Sequence, residues 1–313
     1  MNPLWFVRRF VNSSFIQSRF PLLPATYQFI GKYQRRYFPI YLDYPIAALP
    51  RYGYGTPPHG LLYSLINKNR EAYAALIKSF ASYKKTLNVI PISQPPQDPS
   101  SPYWCNGWVE GIDAVSLYIF PNLFKSNMYI EIGSGNSTKF VRRSIDDNCL
   151  KTKIISIDPQ PRTDIDSLCD TVIRSPVESV SGYIFDELQA GDILMVDCSH
   201  RCFQNSDVTA VFLDILPRLR EGVIVYLDDI FLPYDYPPEW AMFYYSEQYL
   251  LATMLLADAA RRYEILLPAW FIRADDELRS LTEESWKEIG VDMPYQSRGC
   301  GFWMQVKSPA RSA

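Results

Sequence analysis

From Met128 onward, short apolar runs alternate with amphipathic stretches, and this alternation restricts the fold more than any other feature of the sequence. M-Y-I-E-I, I-I-S-I-D, D-I-L-M-V-D and G-V-I-V-Y-L-D-D read as strands. N-S-T-K-F-V-R-R-S-I, D-V-T-A-V-F-L-D-I-L-P-R-L and S-E-Q-Y-L-L-A-T-M-L-L read as the helices among them. Strands apolar along their whole length must be covered on both faces, and helices between successive strands bring them together in parallel. R-Y-E-I-L-L and C-G-F-W-M-Q-V, near the end, read as two further strands, an antiparallel hairpin at the sheet edge. The pattern predicts an α/β chain built on a mostly parallel sheet.

Upstream, D-Y-P-I-A-A-L-P-R-Y-G-Y-G-T-P-P-H is irregular, and L-L-Y-S-L-I-N-K-N-R-E-A-Y-A-A-L-I-K-S-F carries helical periodicity. P-I-S-Q-P-P-Q-D-P-S-S-P is a loop by composition, and a further helix follows W-C-N-G-W-V-E-G-I-D-A. Residues 1–120 are therefore expected to form a mainly helical and irregular extension, and 121–313 a ligand-binding domain with a lid insertion at 231–248. The 313 residues are 48% hydrophobic with a net charge of −3, which excludes a disordered chain and offers no field for nucleic acid. Up to Arg36 the chain is basic and aromatic without one acid. Arg8, Arg9 and Arg19 interrupt its apolar runs well short of the roughly 20 residues a transmembrane helix needs. It reads as an arm packed on its own domain or on a twin subunit in a homodimer, with peripheral membrane contact as the other reading. No secretory leader is recognisable, and six cysteines without framework spacing point to reduced thiols in a cytoplasmic protein. Cys198 and Cys202 flank His200, yet no second ligand cluster completes a zinc site.

In an open α/β sheet, ligands bind where strands end. The first turn here is E-I-G-S-G-N-S-T: Glu131, then Gly133, Ser134, Gly135, Asn136 and Ser137 entering a helix. Its glycines let a ligand approach the backbone, and a helix N-terminus stands behind them. An acid roughly 20 residues beyond such glycines grips ribose hydroxyls, and Asp158 ends the second strand at that place. Thr138 replaces the third glycine of a dinucleotide fingerprint, and Glu131 suits a cationic ligand better than a pyrophosphate. S-adenosylmethionine, with its ammonium and sulfonium, answers both facts.

E-I-G-S-G-N-S-T, I-S-I-D-P, D-I-L-M-V-D and G-V-I-V-Y-L-D-D together resemble successive motifs of class I S-adenosylmethionine-dependent methyltransferases, over about Tyr129 to Leu267. R-Y-G-Y-G-T-P-P-H and N-G-W-V-E-G-I-D-A resemble upstream stretches of a bacterial subgroup. The resemblance implies a Rossmann-like sheet of seven strands with the last strand antiparallel.

Asp197 and the pair Asp228/Asp229 end two strands expected to be neighbours. Three clustered carboxylates need a cation, and oxygen donors suit Mg²⁺ or Mn²⁺. The pattern is similar to metal-dependent sugar and natural-product O-methyltransferases. By position, that similarity makes Asp197, Asp228 and Asp229 the metal ligands, and D-x-S-H makes His200 the general base beside Asp197. Metal coordination lowers a hydroxyl's pKa, and a neutral imidazole takes its proton. The expected function is O-methylation of a small polyhydroxylated or glycosidic acceptor. Metal-independent or N-directed methylation and a cofactor-binding scaffold without turnover are the alternatives. Tyr234, Tyr236, Trp240, Tyr244 and Tyr245, in the proline-stiffened lid, are candidates to stack on the acceptor or to pack the lid down, with Glu247 and Gln248 weaker polar candidates. His59, the other histidine, is expected to be structural.

Overall fold

The computed structural model describes residues 47–95, 97–292 and 298–307. The basic aromatic stretch up to Arg36, and with it the expected membrane or subunit contact, lies outside the described residues. Among the described residues no helix is long and apolar enough to cross a membrane.

Seven strands form one sheet: β1 (Met128–Ile132), β2 (Lys153–Ile157), β3 (Thr171–Ile173), β4 (Ile193–Val196), β5 (Ile224–Leu227), β6 (Tyr263–Pro268) and β7 (Phe302–Val306). Their order is β3-β2-β1-β4-β5-β7-β6, with β1 to β5 parallel and β7 antiparallel to both β5 and β6. This is the expected Rossmann-like sheet with its antiparallel terminal pair. The central strands are buried along their length, which is why they read as unbroken apolar runs. β3 has only three residues, too few to show a periodicity.

The order reverses beside β1, whose neighbours are β2 and β4, so the crevice for a ligand opens above the carboxyl ends of β1, β2 and β4. Register carries the strand ends into line, since Ile132 pairs with Val196 and Val196 with Leu227. Asp197 and Asp228 are thus set side by side at one edge, as expected of neighbouring strands.

Residues from Leu49 onward make one compact unit. Its longer helices before the sheet are α1 (Gly60–Asn67), α2 (Arg70–Ser79) and α3 (Gly111–Leu123). Buried Trp104 packs edge-on against Trp286 at 5.1 Å and tilted against Phe140 at 5.5 Å, tying the segment before α3 to the core. Arg70 meets Asp275 through two hydrogen bonds of 2.6 Å. The helices after β1 and β5 that matter for the site are α4 (Asn136–Asp147) and α5 (Glu247–Ala257).

Candidate active site

The turn leaving β1 is shaped by contacts within the protein. Gly133 has a φ of +81°, and a Cβ there would lie 1.7 Å from the carbonyl oxygen of Asp197. Glycine is required because the end of β4 passes against it. At Gly135 a Cβ would meet nothing within 4 Å, so this residue keeps space open above the N-terminus of α4. Ser134 N donates to Asp158 Oδ2 at 2.9 Å, and Gln160 N donates to Asp158 Oδ1 at 2.7 Å. Asp158 thereby closes the end of β2 against the turn.

Glu131 does not line the crevice. It is fully buried and accepts hydrogen bonds from the Ser137 and Thr138 hydroxyls, while Gly135 N donates to Thr138 Oγ1 at 3.2 Å. Thr138, at the third-glycine position of a dinucleotide fingerprint, is a brace between acid and turn. Burial pushes Glu131 up to about 7 against the pull of those hydroxyls. A carboxyl with a raised folded pKa contributes most below its ordinary value of 4.5, and that contribution falls as pH rises towards 7. The stability gap between the wild type and Glu131→Gln is therefore expected to move by roughly 2–3 kcal/mol against Glu131 between pH 5 and pH 8. Paired thermal melts at the two pH values check this, and a constant gap contradicts it.

A cleft of about 370 Å³ opens over this turn, lined by Gly133, Ser134, Asp158 and Asp197 of the expected residues. Asn136 and Ser137 start α4 beneath it, with Ser137 buried against Glu131. Pro159, Gln160, Arg162, Val177, Glu178 and Cys198 also line the cleft. Pro159 and Cys198 lie in the I-S-I-D-P and D-x-S-H stretches, whereas Val177 and Glu178 stand in no motif of the sequence analysis. The cleft's chemistry fits the parts of S-adenosylmethionine: Asp158 for ribose hydroxyls, Ile157 and Val177 as apolar walls for a base, and Asp197 for cationic groups. At its rim, Trp108 is 65% exposed and its ring lies 4.5 Å from the Arg162 guanidinium.

Beyond Asp197 the cleft meets a cluster of acids around one imidazole. His200 Nε2 lies 3.2 Å from Asp197 Oδ1 and 3.4 Å from Asp229 Oδ2, and Nδ1 lies 3.0 Å from Glu247 Oε2. His200 and Asp229 both adopt left-handed backbone conformations, φ 60° and 55°. Such strain in non-glycine residues gathers at functional sites. His200 is 3% exposed. Burial alone pushes its pKa down, but hydrogen bonds to Asp197 and Glu247 hold it well above 6.5. Burial raises Asp229 and Glu247, and the His200 charge opposes both shifts.

Asp228 turns away from this imidazole. Its Oδ1 accepts from Tyr226 OH at 2.8 Å, and burial raises it well above the ordinary carboxyl value, helped by Asp197 and Asp229. Among the described residues, the group of His, Cys, Asp or Glu whose ligand atoms lie within 4.8 Å of one another is Asp113, Asp228 and Cys300. The structure thus places Asp197 and Asp229 on one side of His200, and Asp228 behind them.

The lid residues divide in the same way. Tyr245 stacks tilted on His200 with centroids 4.7 Å apart, and Tyr236 and Trp240 stand edge-on to Tyr245 at 5.8 and 5.7 Å. Tyr234 packs on Gly53, and Tyr244 is 45% exposed. Gln248 braces the lid, accepting from Phe231 N at 2.9 Å. His59 Nδ1 accepts from Leu62 N at 3.3 Å and caps α1.

Residues 130–230 match a family described as a methyltransferase domain. That span holds β1 to β5, and the strand order of the whole sheet is that of a class I S-adenosylmethionine-dependent methyltransferase fold. A search of curated protein sequences finds no significant match. Among solved structures, this chain is similar to a Klebsiella pneumoniae protein provisionally named an O-methyltransferase. That match has 14% identity and a TM-score of 0.40, covering 80% of this chain and 92% of the other. A Podospora anserina methyltransferase with S-adenosylhomocysteine bound matches at 15% identity and a TM-score of 0.39, covering 77% and 94%.

Proposed function

We propose that the methyltransferase domain moves a methyl group from S-adenosylmethionine to a hydroxyl of a small polyhydroxylated or glycosidic acceptor, with Asp197, His200 and Asp229 at the reacting end. One observation carries this: Asp197 both lines the cofactor cleft and hydrogen-bonds His200, so methyl donor and proton-handling group meet at a single residue. S-adenosylmethionine supplies a methyl group already activated on a sulfonium. The protein has then to orient the acceptor oxygen and remove its proton.

Glu247 fixes the His200 ring through Nδ1, and Nε2 faces Asp197 and Asp229. For that nitrogen to take the hydroxyl proton, its own proton passes to Asp197 or Asp229, the acids that face it. Tyr236, Trp240 and Tyr245 wall the same end, where flat faces stack on a sugar ring.

The acids suit a hard divalent cation in donor type and charge, although Asp228 is turned to Tyr226. Asp197 offers an oxygen at the cleft, Asp229 lies beside it across His200 and Asp228 behind them, and Asp197, Asp229 and Glu247 share one imidazole, a surplus of negative charge. Bound there, Mg²⁺ or Mn²⁺ supplies Lewis acidity to an acceptor hydroxyl and offsets that charge. A metal-independent course is favoured by a different observation: His200 already bridges Asp197 and Asp229 as a cation would.

The test is transfer of a labelled methyl group to a panel of glycosides, with chelator and with added Mg²⁺. Transfer that stops in chelator and returns with Mg²⁺ supports the metal-assisted course. Full transfer in excess chelator removes it and leaves the metal-independent one. Label appearing only on amines would sink the assignment to oxygen.

A further inference from the structure

Three segments far apart in sequence meet behind Asp229. Asp113, in the first turn of α3, accepts from Cys300 N at 2.8 Å through Oδ2 and from Gly301 N at 3.1 Å through Oδ1. Its carboxylate is fully engaged with the backbone just before β7. The glycines on either side of Cys300 make this approach feasible. A Cβ at Gly299 would come within 3.0 Å of Asp113 Oδ1, and one at Gly301 within 2.2 Å of the Tyr226 ring. The segment is threaded between α3 and the end of β5 with no room for side chains other than that of Cys300.

Held this way, Cys300 Sγ donates to Asp229 Oδ1 at 3.2 Å. The other oxygen, Oδ2, is the one 3.4 Å from His200 Nε2. The terminal torsion of an aspartate is broad and roughly two-fold, so a donor on one oxygen selects the orientation of the pair. The bland alternative is a packing cluster that only closes the sheet edge. Such a cluster requires neither a donor at position 300 nor the two oxygens of Asp229 to be divided between thiol and imidazole.

We propose that Asp113 and Cys300 are positioning residues for the reacting end: Asp113 pins the backbone of Cys300, whose thiol orients Asp229 so that its second oxygen meets His200. This deepens the proposed function, because it rests on Asp229 and His200 forming that end.

The chain contains two histidines, His59 and His200, which gives a clean reporter. Protein labelled with ¹⁵N-histidine and freed of metal by chelation shows two sets of ring signals, with His59 as the internal control for folding. Cys300→Ala is expected to shift the His200 ring nitrogens and leave His59 in place. Cys300→Ser, which keeps an O–H donor, is expected to return them towards the wild-type positions. Asp113→Asn should shift His200 in the direction of Cys300→Ala. Affinity for S-adenosylhomocysteine should stay unchanged in the cysteine variants, since neither residue lines the cleft. Wild-type His200 signals in Cys300→Ala would overturn the proposal, and so would a Cys300→Ser variant displaced as far as the alanine. Failure of the wild type to bind S-adenosylhomocysteine would instead count against the proposed function, while the ring signals still read the link from Cys300 to His200.

Discussion

Replacing His200 with alanine is expected to lower methyl transfer by roughly 10²- to 10⁴-fold, the usual worth of a positioned proton acceptor. Affinity for S-adenosylhomocysteine should change little, because the imidazole stands beyond Asp197 and does not line the cleft. The alanine also strands Glu247, which is buried and has His200 as its ion-pair partner. Leaving a buried charge without its partner costs roughly 3–5 kcal/mol, so a lower melting temperature is expected too. His200→Gln retains a hydrogen-bonding side chain and should recover part of the stability without recovering transfer. Single-turnover rates on folded protein separate the two effects, and full transfer by a folded His200→Gln variant would remove the histidine from the chemistry. Asp197→Asn should weaken both cofactor affinity and transfer, since that carboxylate serves the cleft and the imidazole together.

The second large effect is expected at Gly133. An alanine there would set its Cβ 1.7 Å from the Asp197 carbonyl oxygen in a left-handed conformation, and the atom it meets is backbone that cannot rotate aside. Left-handed strain of about 1–2 kcal/mol and overpacking of about 1–3 kcal/mol act together. A melting temperature lower by roughly 5–15 °C is expected, with loss of measurable S-adenosylhomocysteine binding. Gly135→Ala makes the contrast. Its added methyl meets open space, so the protein should fold normally and bind S-adenosylhomocysteine more weakly. If the two variants melted and bound alike, neither glycine would have the role its surroundings give it.

Much of this was legible in the sequence because it follows from periodicity and strand ends. Continuous apolar runs marked the buried central strands, and alternation with helices set them parallel, so Asp197 and Asp228 could be expected side by side. The terminal hairpin was visible in C-G-F-W-M-Q-V. What escaped was orientation and long-range pairing. Asp228 and Asp229 are consecutive, but at the end of β5 the backbone turns left-handed at Asp229, and one side chain meets Tyr226 while the other meets His200. Glu131 carries the charge that a cationic ligand would want, yet the hydroxyls of Ser137 and Thr138 draw it under the turn. Glu247 lies 47 positions from His200, and the two segments are joined where Ser246 N and Glu247 N donate to the His200 carbonyl at 2.8 and 3.3 Å. Nothing local in either segment announces that bond. The contact between Asp113 and Cys300 spans 187 positions and depends on β7 running back antiparallel beside β5.

The proposed function requires the turn from Gly133 to Ser137, together with Asp158, to bind S-adenosylmethionine. Calorimetric titration with S-adenosylhomocysteine tests it most directly. The expected result is saturable binding at one site per chain, abolished or strongly weakened in Asp158→Ala while that variant remains folded. Absence of binding by the folded wild type, or undiminished binding by Asp158→Ala, would contradict it.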